Sequence, residues 1–165
     1  MGTFAEHITQ SRNNLDFLSK VNTNINNSWD WQVTVCFYSA LHLMNAHIVS
    51  KTHKNYLSHN QVAEVINPFN SLSVAKLDEE TYLSYNKLVQ LSRRARYLLS
   101  ENFTKKGIVD VQPACITYSK HFKKSIYHLD KVLSFICKNY NVNFGKINIS
   151  CIDLKGLEYT YFTIS

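Results

Sequence analysis

The sequence predicts an all-α protein, a bundle of about five helices followed by a short C-terminal β-hairpin. Three observations carry this expectation. Only four glycines and two prolines occur in 165 residues, so few positions favour turns or break helices. Apolar residues recur at helical spacing through most of the first 140 positions. After Asn141 that spacing gives way to alternating apolar and polar residues, the pattern of strands.

The first helix is expected over 3–22, with Phe4, Ile8, Leu15 and Leu18 on one face, and ends in the polar stretch Asn22–Ser28. The second, over 29–50, is apolar nearly all round and should be central. Its narrower polar stripe is Tyr38, His42 and Asn45, which form either a buried hydrogen-bond network or a polar cleft in which His42 reaches the same space as Arg96. The third opens at Ser58-His59-Asn60-Gln61, a capping box, and carries Val62, Val65 and Ile66 before Pro68 disturbs the backbone. The fourth, over 78–100, starts acidic with Asp78-Glu79-Glu80 and ends in arginines, with Leu88, Leu91, Ala95 and Leu98 as its apolar stripe. The fifth, over 112–140, has Pro113 in its first turn and turns Cys115, Phe122, Ile126, Leu129 and Leu133 to the core. The hairpin would join Ile147–Cys151 to Leu157–Ile164 through Asp153–Gly156. Residues 1–141 thus form the bundle and 142–165 an extension packed on it or on a partner.

Composition narrows the classes of function. A 45% apolar, 13% aromatic chain is not a disordered one. No run nears the roughly 18 apolar residues of a membrane span, and the N-terminus lacks the charged and apolar regions of a secretion signal, so a cytoplasmic location is expected. Cys36, Cys115, Cys137 and Cys151 lack metal or redox spacing and are read as reduced. His47, His53, His121 and His128 have no partners at metal spacing. No metal and no cofactor is expected.

Charge is unevenly placed. Residues 93–124 hold eight Lys and Arg against two acidic residues, so the whole formal excess of +6 lies in that band. Three of the four arginines sit within Leu91–Tyr97. A localised excess of this kind suits a phosphate-bearing partner. At 100° per residue, Arg93 and Arg96 share a face with Tyr82 and Tyr85, whereas Arg94 points to a third side and is expected in solvent. Arg93 and Arg96 either pair with acidic groups or cap tyrosine rings inside the bundle, or hold a phosphate while the flanking Tyr82, Tyr85 and Tyr97 stack bases. Lys120, Lys123 and Lys124 lie on a face that is either simply solvated or tracks a nucleic-acid backbone. His59 is either a satisfied capping-turn residue or a base for a ribose hydroxyl. Its position in a first turn disfavours the cationic form.

Trp31, then Phe37-Tyr38-Ser39-Ala40-Leu41-His42, then Ser58-His59, then Tyr85, Leu88 and Leu91-Ser92-Arg93-Arg94-Ala95-Arg96-Tyr97, in that order, resemble the bacterial branch of the HEPN superfamily over roughly residues 5–138. The resemblance implies an all-α bundle that forms a homodimer. It also implies either RNA cleavage in a bacterial defence or toxin–antitoxin system or noncatalytic RNA or nucleotide binding, with a nucleotidyltransferase-type antitoxin as a further partner. HEPN ribonucleases carry an Arg followed after four to six positions by His. None of Arg12, Arg93, Arg94 or Arg96 has one. The nearest substitutes are Lys54 with His59 and Lys123 with His128, and lysine lacks the planar fork of arginine. The catalytic candidates are therefore His59 as base and Arg96 as phosphate stabiliser, provided that the third and fourth helices meet. The alternative is a dimeric protein-interaction module without catalysis.

Overall fold

The computed structural model describes residues 2–25, 27–56, 58–104 and 107–165. Five helices dominate: α1 Phe4–Asn24, α2 Trp29–Thr52, α3 His59–Val65, α4 Glu79–Tyr97 and α5 Ser119–Tyr140. Their starts follow local chemistry. Thr3 and Glu6 form a capping box on α1, Ser58 and Gln61 form one on α3, and the Asp78 carboxylate accepts the Thr81 N–H of α4. Each satisfies amides that the first turn leaves without intrahelical partners.

Helix α2 runs through the middle, covered by α1, α4 and α5. By length and composition it is apolar enough to cross a membrane, but most of it is buried in the bundle. Val33, Cys36, Phe37, Ala40, Leu43, Met44 and Ile48 are fully enclosed, and they meet Leu88 of α4 and Phe122, Ile126 and Leu129 of α5 in one core. Burial of this many large side chains is the main force holding the bundle together. The polar groups of α2 are largely satisfied locally. Ser39 and Asn45 donate to carbonyls one turn back, and His47 donates Nε2–H to the Ala75 carbonyl and accepts from the Tyr140 hydroxyl at 2.7 Å.

Two segments depart from expectation. The fourth helix stops at Tyr97 rather than 100, because Leu98 takes a left-handed conformation with φ 53° and closes the helix. The chain then forms strands β1 Leu99–Thr104 and β2 Gly107–Pro113, paired antiparallel, with Leu99 opposite Pro113. Pro113 therefore ends a strand and does not open a helix, and Cys115 is exposed in the following loop. The fifth helix begins only at Ser119.

The C-terminal extension does contain two short strands, β3 Ile147–Ile149 and β4 Phe162–Ile164, but they pair in parallel and so are not a hairpin. Parallel neighbours need a crossover, supplied here by residues 150–161, including a 3-10 turn at Ile152–Leu154 and Gly156 at φ 77°. Side chains of the bundle fix this path. Asn22 of α1 brackets Ser150, accepting its N–H at 2.6 Å and donating to its carbonyl at 3.0 Å, while Asp130 of α5 accepts the amides of Thr160 and Tyr161. Ile149, Leu154 and Phe162 then join the common core.

Candidate functional site

The short helix α3 delivers His59 to α2. Its ring meets Phe37 edge-on at 5.1 Å between centroids and Tyr38 at 6.3 Å. The last turn of α4 delivers Arg96 to the same pair. The guanidinium carbon lies 5.9 Å from each of the Phe37 and Tyr38 centroids and 5.1 Å from that of Tyr97. His59 of α3 and Arg96 of α4 therefore both lie against one aromatic pair of α2. Arg96 donates Nε–H to the Ser92 carbonyl at 3.3 Å. Among the described residues no carboxylate pairs with it.

The charge environment follows from this packing. Burial holds the His59 ring below its ordinary imidazole range, and the positive charges of Arg96 and Arg93 add to the effect. His59 is consequently neutral at pH 7, able to accept a proton while an arginine stands beside it. Cation–π contact of Arg96 with three rings contributes about 0.5–1 kcal/mol per well-placed ring, and fixes the guanidinium without neutralising it.

The other sequence candidates divide. Arg93 is spent on the fold: its Nη1 donates to both oxygens of Glu101 on β1, at 2.8 and 3.0 Å. Tyr85 does not stack on anything from solvent, since it is fully buried against Phe37 and its hydroxyl has no partner among the described residues. Tyr97, in contrast, is 61% exposed. Tyr38 is half-buried within the cluster, but His42 is not part of it. His42 faces α1, where its Nδ1 lies 3.1 Å from Nδ1 of His7, which reaches Asn55 through its other nitrogen at 2.9 Å. Asn45 turns back to the Leu41 carbonyl, with its own carbonyl oxygen unpartnered among the described residues. The polar stripe of α2 thus serves three different neighbourhoods.

Arg94 is half-buried rather than free in solvent, donating to the Cys115 carbonyl at 3.2 Å and contacting its sulfur at 2.7 Å. Lys120 lies 5.8 Å above the Tyr118 ring. Lys124 is exposed next to Lys87 of α4, whereas Lys123 lies near Cys151 of the extension. The lysine face is therefore split between two neighbours. Phe37, the floor of the cluster, was legible only as a core residue, because an apolar position on a central helix carries no mark of a ligand site. No group of three or more His, Cys, Asp or Glu able to hold a metal occurs among the described residues.

Comparison with known proteins gives no match: no family model fits the sequence, and no curated protein or solved structure is significantly similar to it.

Proposed function

We propose that this chain is a HEPN-like protein that binds RNA or a nucleotide through the Arg96–His59 cluster. The observation that supports this reading is the meeting of Arg96 and His59 over Phe37 and Tyr38, with Arg96 unpaired to any carboxylate among the described residues. An arginine held by rings but not neutralised is a natural contact for phosphate. The exposed Tyr97 ring next to it offers a surface on which a base stacks, worth about 1–3 kcal/mol. Arg96 takes the phosphate, Tyr97 the base, and His59 the adjoining ribose.

A second reading, metal-independent cleavage, is favoured by the neutral state of His59. In that reaction the ribose 2′-oxygen attacks phosphorus, its proton passes to His59, and Arg96 stabilises the charge gathering on the phosphoryl oxygens. The bond from phosphorus to the 5′-oxygen breaks, and that oxygen takes a proton from water. The products are a 2′,3′-cyclic phosphate and a 5′-hydroxyl. The same reading carries a homodimer and a nucleotidyltransferase-type antitoxin as partners in a defence or toxin–antitoxin system.

The test is polarisation of a labelled single-stranded RNA titrated with the full chain in EDTA. Saturable binding is expected, weakening about 2.5-fold per phosphate contact between 50 and 200 mM salt. Cyclic phosphate ends that disappear in His59→Ala would establish cleavage, and intact RNA leaves recognition alone. An absence of binding at 50 mM salt overturns the proposal and leaves the dimeric interaction module.

A further inference from the structure

Arg94 and Arg96 lie two residues apart, about 200° around the helix, so Arg94 belongs to a different side of α4, where α5 packs. Two contacts set the register of this antiparallel pair. Ser84 of α4 meets His128 of α5 with 3.3 Å between Oγ and Nδ1, and Arg94 reaches the Cys115 carbonyl just before α5. Between these points, Lys87 is one turn along α4 from Ser84, and Lys124 is one turn back along α5 from His128. The two lysines therefore face each other across the seam. His121 stands a further turn towards Arg94, and Lys120 sits beside it.

We infer that the α4–α5 seam is a second anion site, in which Lys87, Arg94, Lys120, Lys124, His121 and His128 hold the phosphate groups of a phosphorylated ligand.

Six basic groups converge here, and their neighbours do not offset them. Four carboxylates on α4, α5 and the segments beside them are already engaged: Glu80 with Lys131, Glu101 with Arg93, Asp130 with the Thr160 and Tyr161 amides, and Asp153 with the Ser119 hydroxyl. Lys87 has only the Gln90 side-chain carbonyl, at 3.1 Å, as its hydrogen-bond partner among the described residues. The Arg94 Nε is buried with no partner among those residues. Hydrogen bonding also fixes a tautomer. His121 Nδ1 accepts the Tyr118 N–H at 3.0 Å, so the neutral ring carries its proton on Nε2, a donor suited to an oxyanion.

The electrostatics agree with this geometry. Burial, then Lys87 and Lys124, pushes His128 down to about 4. Burial, then Arg94, Lys120 and Lys124, lowers His121, and burial followed by Lys124 lowers Lys87. His128, His121 and Lys87 are thus held away from their charged forms by burial first and by neighbouring cations second. A bound phosphate reverses the sign of that field and favours the cations, so ligand binding is coupled to proton uptake.

Pyrophosphate titrated into the full chain, with the histidine ring resonances followed by NMR, tests this site. Shifts at His121 and His128, with a rise in the titration midpoints of both, are expected. Lys87→Gln/Lys124→Gln should weaken the pyrophosphate response of His121 and His128 at least about tenfold, since two charge-assisted contacts are lost, while Arg12→Gln, whose side chain donates to the Asn143 carbonyl, leaves it unchanged. The His121 and His128 resonances report on the seam itself, which separates this site from the Arg96–His59 reading, on which it does not depend. A single-stranded oligouridylate that displaces pyrophosphate identifies a phosphodiester backbone as the ligand; failure to displace it identifies a small phosphorylated molecule. Unperturbed His121 and His128 at millimolar pyrophosphate, or undiminished affinity in the double lysine variant, overturns the inference.

Discussion

Arg93 is clamped to Glu101 by two hydrogen bonds from one guanidinium nitrogen, and the Glu101 side chain is only 8% exposed. The pair ties the end of α4 to the first strand of the hairpin. Glu101→Gln removes the buried charge that balances Arg93, and should lower stability by about 2 kcal/mol in urea unfolding. It also releases Arg93 next to the Arg96 cluster, so RNA affinity should rise. A variant as stable as the parent with unchanged affinity would show that the pair is incidental.

His128 gives the fold a signature in acid. Its ring is held down to about 4 by burial and then by Lys87 and Lys124. The unfolded chain binds a proton near pH 6.5 and the folded one does not until about 4, so this contribution to stability is complete above 6.5 and is lost as pH falls from 6.5 to 4. The full shift corresponds to about 3 kcal/mol, reduced by partial exposure to about 1–2. Urea midpoints measured from pH 7 to 4 should fall less steeply in His128→Gln than in the parent chain.

Tyr85 carries a buried hydroxyl with no partner among the described residues. A polar group in that state costs free energy, so Tyr85→Phe should leave the melting temperature unchanged or raise it, by up to about 1–2 kcal/mol of stability. RNA binding should be unaffected, because the ring is sealed in the core. A loss above about 1 kcal/mol would mean that the hydroxyl is in fact bonded.

Much of the bundle was legible because its determinants are local. Thr3, Ser58 and Asp78 cap helices with their own side chains, and the apolar spacing of α2 names the central helix directly. The hairpin after α4 was not legible, since Tyr97-Leu98-Leu99 reads as continuing helix and only the left-handed Leu98 ends it. Gly107 and the β-branched run Ile108-Val109 were the available signals. At the C-terminus the alternation of Ile147 and Ile149 marked a strand, but its parallel partner was set by Asn22 and Asp130, far away in sequence. The candidate site divides in the same way. A helical wheel separates Arg94 from Arg93 and Arg96, yet Glu101, which occupies Arg93, and Phe37, which receives Arg96 and His59, are tertiary facts.

The central claim, that Arg96 is the phosphate contact, is tested most directly by comparing two single charge removals against one labelled single-stranded RNA at fixed salt. Arg12→Gln deletes a cation that donates to the Asn143 carbonyl, outside the His59 cluster, whereas Arg96→Gln deletes the one inside it. Arg96→Gln is expected to bind at least about tenfold more weakly than Arg12→Gln, the value of a lost charge-assisted contact. Equal affinities of the two variants would contradict that claim.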